Sequence, residues 1–117
     1  MHPRDRPTPA YRTRMNSREK GKRGERELAA FLREHGIEAR RGQQFSGVEG
    51  EDVVHAIPNV HIECKRVENL RLHDALAQAI RDAKGKMPVV AHKRNRGGWV
   101  AILRLEDLLI WLKEMTL

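Results

Sequence analysis

Three charged side chains near the middle of the sequence could together hold a metal ion and act on a phosphate. Asp52 precedes an apolar pair, and Glu63 and Lys65 alternate with apolar residues in the run 60–65. Two carboxylates suit a hard divalent cation such as Mg²⁺, which takes one or two carboxylates and keeps several waters. A lysine beside the ion can orient a water and neutralise charge growing on a phosphate. The residue types therefore indicate metal-assisted phosphate chemistry.

A tight turn at Pro58-Asn59 would bring these residues together. If the turn is a two-residue hairpin loop, Asp52 lies opposite Lys65 and diagonal to Glu63 on the same face. Opposed Cβ atoms in such a ladder are about 5 Å apart and diagonal ones about 7–8 Å. A slip of one residue would send Asp52 to the other face and destroy the site.

Cys64 lies between the two charged residues of the second strand. Its side chain should point to the opposite face and be buried, whereas its backbone carbonyl could bind the same ion. His61 shares the face of Glu63, and we predict a partly exposed strand histidine there, with a minor role at the site as the alternative. A Glu-x-Lys tripeptide also arises readily by chance in a chain with 11 Glu and 7 Lys. A solvated hairpin with a cross-strand salt bridge explains the same charges equally well.

Apolar periodicity predicts the elements that position this site, in the order α-β-β-β-α-β-β-α. The predicted segments are a helix from Ser17 to Gly36, strands at 37–39, 52–57 and 60–67, a helix at 71–84, strands at 89–93 and 99–103, and a helix at 106–115. On the last helix we predict that Leu105, Leu108, Leu109 and Leu112 face inward.

Length and charge restrict the class of protein further. The 117 residues predict a flexible basic arm over 1–16 and a single domain over 17–117. The first 23 residues carry eight Lys or Arg against two acids, while the whole chain has a formal charge of +7. Lys20, Lys22 and Arg23 are therefore predicted to contact DNA phosphates, with solubility as the alternative role.

Cysteine content and hydropathy exclude several other classes. A lone cysteine allows neither an intramolecular disulfide nor a Cys-rich zinc site. No apolar stretch approaches the roughly 18 residues of a membrane span, so we expect no membrane partner and a cytoplasmic location in a bacterial, archaeal or phage-infected cell.

The pattern as a whole resembles the PD-(D/E)XK, restriction-endonuclease-like superfamily, near the small archaeal-type and phage Holliday-junction resolvases. The resemblance is carried by GKRGERELAAFLREHG at 21–36, by Asp52-Val53-Val54, and by the run HIECKR at 61–66. It implies an α/β fold with an α-β-β-β-α-β core and a mixed sheet flanked by helices, here followed by an extra strand and a C-terminal helix. Glu51 stands where the motif has proline.

The resemblance also implies a role for individual residues. Asp52 and Glu63 would be the metal carboxylates and Lys65 the catalytic lysine, with Glu25 as a helix acid that reaches the metal through water or a second ion. Arg26 would lie near the scissile strand. Two weaker assignments are a supporting role for Gln78, with a solvated helix residue as the alternative, and a backbone contact from Ser46.

These observations predict a metal-dependent DNA endonuclease that uses Mg²⁺, with Mn²⁺ able to substitute. The resemblance implies a branched duplex substrate, a four-way junction above all, and a two-fold homodimer would place one site on each of two symmetric strands. Two alternatives stay open: another nicking, flap or restriction-type enzyme of the same superfamily, and a basic nucleic-acid-binding protein without catalytic activity.

Overall fold

The computed structural model describes the backbone of residues 9–42 and 53–116 and the side chains of residues 21–42 and 53–116. The predicted order of elements is confirmed within these residues. The elements are α1 (Pro9–Glu34), β1 (Ala39–Arg41), β2 (Val53–His55), β3 (Val60–Arg66), α2 (Leu72–Ala83), β4 (Met87–Lys93), β5 (Val100–Ile102) and α3 (Leu105–Met115).

The strands form a mixed sheet and a smaller antiparallel pair. β3 and β4 run parallel, as strands joined by a crossover helix do, and β5 adds to β4 in the antiparallel direction. β1 and β2 pair antiparallel, with Arg40 opposite Val54. The mixed α/β architecture is the predicted fold class.

β3 lies between two helices and shows opposite chemistry on its two faces. Val60 and Ile62 are buried in a cluster with Leu28 and Ala29 of α1. Toward the other face, Ala75 and Ala79 of α2 pack with Val90 of β4. Alternation along a strand sends neighbouring side chains to opposite faces, so His61, Glu63 and Lys65 lie on the α2 side.

The predicted hairpin between residues 52–57 and 60–67 is wrong. The turn at Pro58-Asn59 exists, but β2 pairs with β1 and β3 pairs with β4 in the part of the chain that the structure describes. Two backbone groups explain the difference. The amide of Ala56 donates to the Glu38 carbonyl at 3.0 Å, and that of Ile57 donates to His55 Nδ1 at 3.1 Å.

The two terminal helices also differ from their predictions. α1 begins at Pro9 rather than Ser17, so the backbone of residues 9–16, assigned to a flexible arm, is helical. In α3 the predicted inward face is wrong for Leu105, Leu109 and Leu112, which are exposed, while Leu108 is half-buried. The buried residue of α3 is Asp107, whose carboxylate accepts from Arg104 Nε at 2.9 Å.

None of the helices in residues 9–42 and 53–116 is both long enough and apolar enough to cross a membrane.

Candidate active site

The polar face of β3 presents His61, Glu63 and Lys65 to helix α2. These residues are two apart in sequence, and strand geometry places them on one face. Gln78 and Asp82 of α2 face these residues, because a spacing of four residues puts both side chains on one side of the helix. Sequence alternation predicted the strand half of this arrangement correctly.

Gln78 connects the carboxylate and the lysine of β3. Its Oε1 accepts a hydrogen bond from Lys65 Nζ at 3.0 Å, and its Nε2 donates to Glu63 Oε1 at 3.3 Å. An amide can do this because it carries an acceptor and two donors on one planar group. Gln78 is therefore not a solvated helix residue, because it holds the two charged side chains in a fixed relation.

His61 contacts the other oxygen of the same carboxylate. Its Nε2 donates to Glu63 Oε2 at 2.7 Å, and the two residues are 1% and 5% exposed. The prediction of a partly exposed histidine is wrong, since His61 is among the largest fully buried side chains of the described residues. A carboxylate this deeply buried needs such hydrogen bonds, because losing water without replacement costs several kcal/mol.

A candidate metal centre lies at this end of the strand. Ligand atoms of His61, Glu63 and Asp82 lie within 4.8 Å of one another, and Asp82 is exposed at the surface end of the group. Sequence reasoning missed Asp82, although its position four residues after Gln78 on the helix that follows the Glu-x-Lys strand is a usable signal.

Helix α1 contributes acids on the opposite side of β3. Glu25 Oε2 accepts from Arg41 Nε of β1 at 2.9 Å, so the predicted helix acid contacts the small antiparallel pair. Glu27 accepts from Arg66 Nε at 3.1 Å and from Lys93 Nζ. Burial alone would raise the pKa of the Glu27 carboxyl, but hydrogen bonds and charges from Lys93 and Arg66 lower that pKa below its ordinary value.

Gly24 allows α1 to approach β3 closely. A Cβ atom at this position would lie 2.5 Å from Arg66 Cβ and 3.8 Å from Cys64 Sγ. Cys64 is half-buried against the core on this side, as alternation predicts, and ligation by its carbonyl stays a prediction.

The remaining predicted site residues fall into two groups. Lys22, Arg23 and Arg26 are exposed on α1, and Lys20 belongs to the same helix although its side chain lies outside the described part. Asp52 and Ser46 lie outside the described residues altogether.

Comparison with known proteins decides the family. A family model described as "Phage putative PDDEXK endonuclease" matches residues 16–116. The chain belongs to this PDDEXK endonuclease family. A solved structure of Hjc, a Holliday junction resolvase from the archaeal hyperthermophile Archaeoglobus fulgidus, matches with a TM-score of 0.54 and 28% identity over 72% of each chain. No curated protein matches. The resemblance predicted from the sequence is therefore confirmed.

A groove lies beside Lys65 on the surface of this PDDEXK endonuclease. It has a volume of about 320 Å³, and its lining includes Lys65 and Gln78 together with two arginines of the α2 region, Arg71 and Arg81. Arg71 Nε also donates to Asp74 at 3.1 Å. Sequence reasoning did not single out these arginines, because their position beside Lys65 depends on how α2 packs on β3.

Proposed function

We propose that this PDDEXK endonuclease hydrolyses DNA phosphodiester bonds with a divalent metal ion, Mg²⁺ or in its place Mn²⁺, and that its substrate is the four-way junction. The observation that carries the proposal is the chain of hydrogen bonds from Lys65 through Gln78 to Glu63. It fixes an ammonium and a carboxylate side by side within the family's sequence pattern.

The donor set fits a hard divalent cation. Glu63 offers a carboxylate that is 5% exposed and oriented by partners on both oxygens, and Asp52 is the second carboxylate that the family motif implies. Oriented carboxylates lose little entropy on binding an ion, because their hydrogen-bond partners already restrict them. A bound Mg²⁺ would supply Lewis acidity and a water of lowered pKa.

Lys65 would act on the phosphate itself. Gln78 accepts one of the three ammonium protons, which leaves the others to orient a water or to stabilise charge on phosphate oxygens. The groove beside Lys65 would take the DNA backbone, with Arg71 and Arg81 contacting flanking phosphates. The exposed Lys22, Arg23 and Arg26 of α1, on the other side of β3, would contact the DNA separately from this groove, and Glu25 would act as the helix acid that the family motif implies.

A branched substrate is supported by the similarity to the archaeal resolvase. A four-way junction offers two equivalent strands, and a homodimer would present one site to each. The uncovered apolar side chains of α3, Leu105, Leu109 and Leu112, together with Val100 at the edge strand β5, supply a surface for a second copy of the chain.

The test is cleavage of a labelled four-way junction with Mg²⁺ or with chelator, beside flap and linear duplexes of the same sequence. We expect Mg²⁺-dependent cutting of the junction by the wild type and none by Glu63→Gln or Lys65→Ala, while both variants still bind DNA. Glu114→Gln and Lys113→Ala, exposed residues of α3, are the matched controls and should cut normally.

Each alternative predicts a different outcome of that assay. Preferred cutting of flap or linear DNA would replace the junction with another substrate of the same chemistry. Wild-type protein that binds DNA but cuts none of the three substrates in Mg²⁺ or Mn²⁺ would contradict the catalytic proposal.

A further inference from the structure

We infer that His61, Glu63 and Asp82 form a binding site for a divalent first-row transition-metal ion, on the side of Glu63 that faces away from Lys65. The inference deepens the proposed function and rests on it, since Glu63 would belong to both the proposed catalytic site and this metal site. It assigns ligand roles to a histidine and an aspartate that lie outside the Asp-Glu-x-Lys pattern.

The two oxygens of Glu63 are already divided between two neighbours. Oε1 accepts from Gln78, which also holds Lys65, whereas Oε2 accepts from His61. An ion bound through Oε2 would therefore lie on the imidazole side of the carboxylate. The lysine side would keep its hydrogen bonds and remain available for the phosphate.

The distances suit replacement of a hydrogen bond by an ion. Nε2 of His61 and Oε2 of Glu63 are 2.7 Å apart. Adjacent ligand atoms of an ion with bonds of about 2.1 Å are about 3.0 Å apart in octahedral geometry, so a small outward shift opens the position. The imidazole would bind through Nε2 in the tautomer that carries its proton on Nδ1, so the proton now donated to Glu63 would move from Nε2 to Nδ1.

Asp82 gives the site an entrance and a third ligand. Its carboxylate lies within 4.8 Å of the ligand atoms of the other two residues, and it is exposed, whereas they are buried. An ion could exchange its waters for protein ligands in sequence, first at the surface carboxylate and then at the interior pair. The remaining coordination positions would keep water.

The imidazole determines the class of ion. Mg²⁺ prefers oxygen ligands, whereas imidazole nitrogen favours first-row transition metals, with affinity rising from Mn²⁺ through Co²⁺. One nitrogen and two carboxylates therefore predict tighter binding of Co²⁺ than of Mg²⁺. Within the proposed nuclease, this position would favour Mn²⁺ over Mg²⁺ as the second ion.

Calorimetric titration of the full chain with Co²⁺, without DNA and in a non-chelating reductant, tests the site. We expect His61→Gln and Asp82→Asn to weaken the tightest Co²⁺ binding by about tenfold or more. Glutamine can still donate to Glu63 but lacks the ring nitrogen. His73 is an exposed histidine on α2, the helix that carries Asp82. His73→Gln is therefore the matched control and should bind Co²⁺ as the wild type does.

Nuclear magnetic resonance gives a second readout that does not depend on activity or on variants. Paramagnetic Co²⁺ should shift or broaden the His61 imidazole signals before those of other histidines. Unchanged Co²⁺ affinity in a folded Asp82→Asn protein, or first effects at another histidine, would overturn the inference. Because the Co²⁺ titration contains no DNA, its result does not depend on whether the protein cleaves junctions.

Discussion

At the scale of single residues, Gln78 is the side chain on which the candidate site depends most. Its amide oxygen faces an ammonium and its amide nitrogen faces a carboxylate, so neither end can be exchanged without loss. Leaving a buried charged group without its partner costs more than the hydrogen bond itself contributes, because the group has already lost its water. The hydrogen bonds therefore suit a residue that positions the proposed catalytic pair rather than one that acts on substrate.

Replacing Gln78 with alanine should lower kcat on the junction by about 10- to 100-fold, the usual effect of removing a partner that orients a metal ligand. KM and DNA affinity should change little, because the amide is directed at Lys65 and Glu63. Single-turnover cleavage and filter binding measure the two effects separately. His73→Ala, exposed on the same helix, should retain wild-type kcat, and a Gln78→Ala defect confined to DNA binding would contradict the positioning role.

The Glu27 carboxyl lies on the α1 side of β3, and its lowered pKa makes the stability of the fold depend on pH. Its folded-state pKa is lowered below the ordinary value of 4.5, so its ion pairs stabilise the fold above that pH. The contribution is lost as the pH falls through the lower folded value. Glu27→Gln should therefore lower the urea midpoint at pH 7, and the difference from the wild type should shrink as the pH falls below 4.5 and through the lower folded-state pKa. A difference that persists unchanged in acid would contradict this assignment.

At the scale of elements, a close contact between α1 and β3 depends on a glycine. At Gly24 a Cβ atom would meet Arg66 Cβ at 2.5 Å, whereas at Gly21 it would meet nothing within 4 Å. The same substitution in one helix therefore has opposite consequences at two positions three residues apart.

Gly24→Ala should destabilise the protein by about 1–3 kcal/mol, because overpacking the contact between α1 and β3 exceeds the gain in helix propensity. Gly21→Ala should stabilise it by up to about 1 kcal/mol through the propensity gain alone. Urea unfolding of both variants measures the difference. Equal stabilisation by both would mean that α1 does not approach β3 closely at Gly24.

The strand alternation of residues 60–66 and the order of elements could be predicted from the sequence, because period 2 and period 3.6 are local properties. The pairing of β2 could not, since it depends on where the Ala56 and Ile57 amides find acceptors. Asp82 was missed for a related reason: its approach to His61 follows from how α2 packs on β3.

At the scale of the whole molecule, α3 leaves an apolar surface exposed. Trp111 of this helix packs on the core, whereas Leu105, Leu109 and Leu112 are exposed. Leucines four and three residues apart form a stripe along one side of a helix. The sequence predicted an inward stripe because an apolar helix face usually covers the chain's own core, whereas here the three leucines are exposed.

If a second copy of the chain covers that stripe, a charge placed within it should separate the protomers. Leu109→Glu should raise the dimer dissociation constant by about tenfold or more, because the carboxylate would be buried without a partner. Ile110→Glu is the matched control: it adds the same charge at an exposed apolar position turned about 100° around the helix. Sedimentation equilibrium of the two variants and the wild type measures the effect, and a monomeric wild type at high concentration would contradict the dimer.

Junction cutting adds a second criterion for the dimer. A monomer that keeps its site should nick one strand, whereas the dimer should cut both symmetric strands during one encounter.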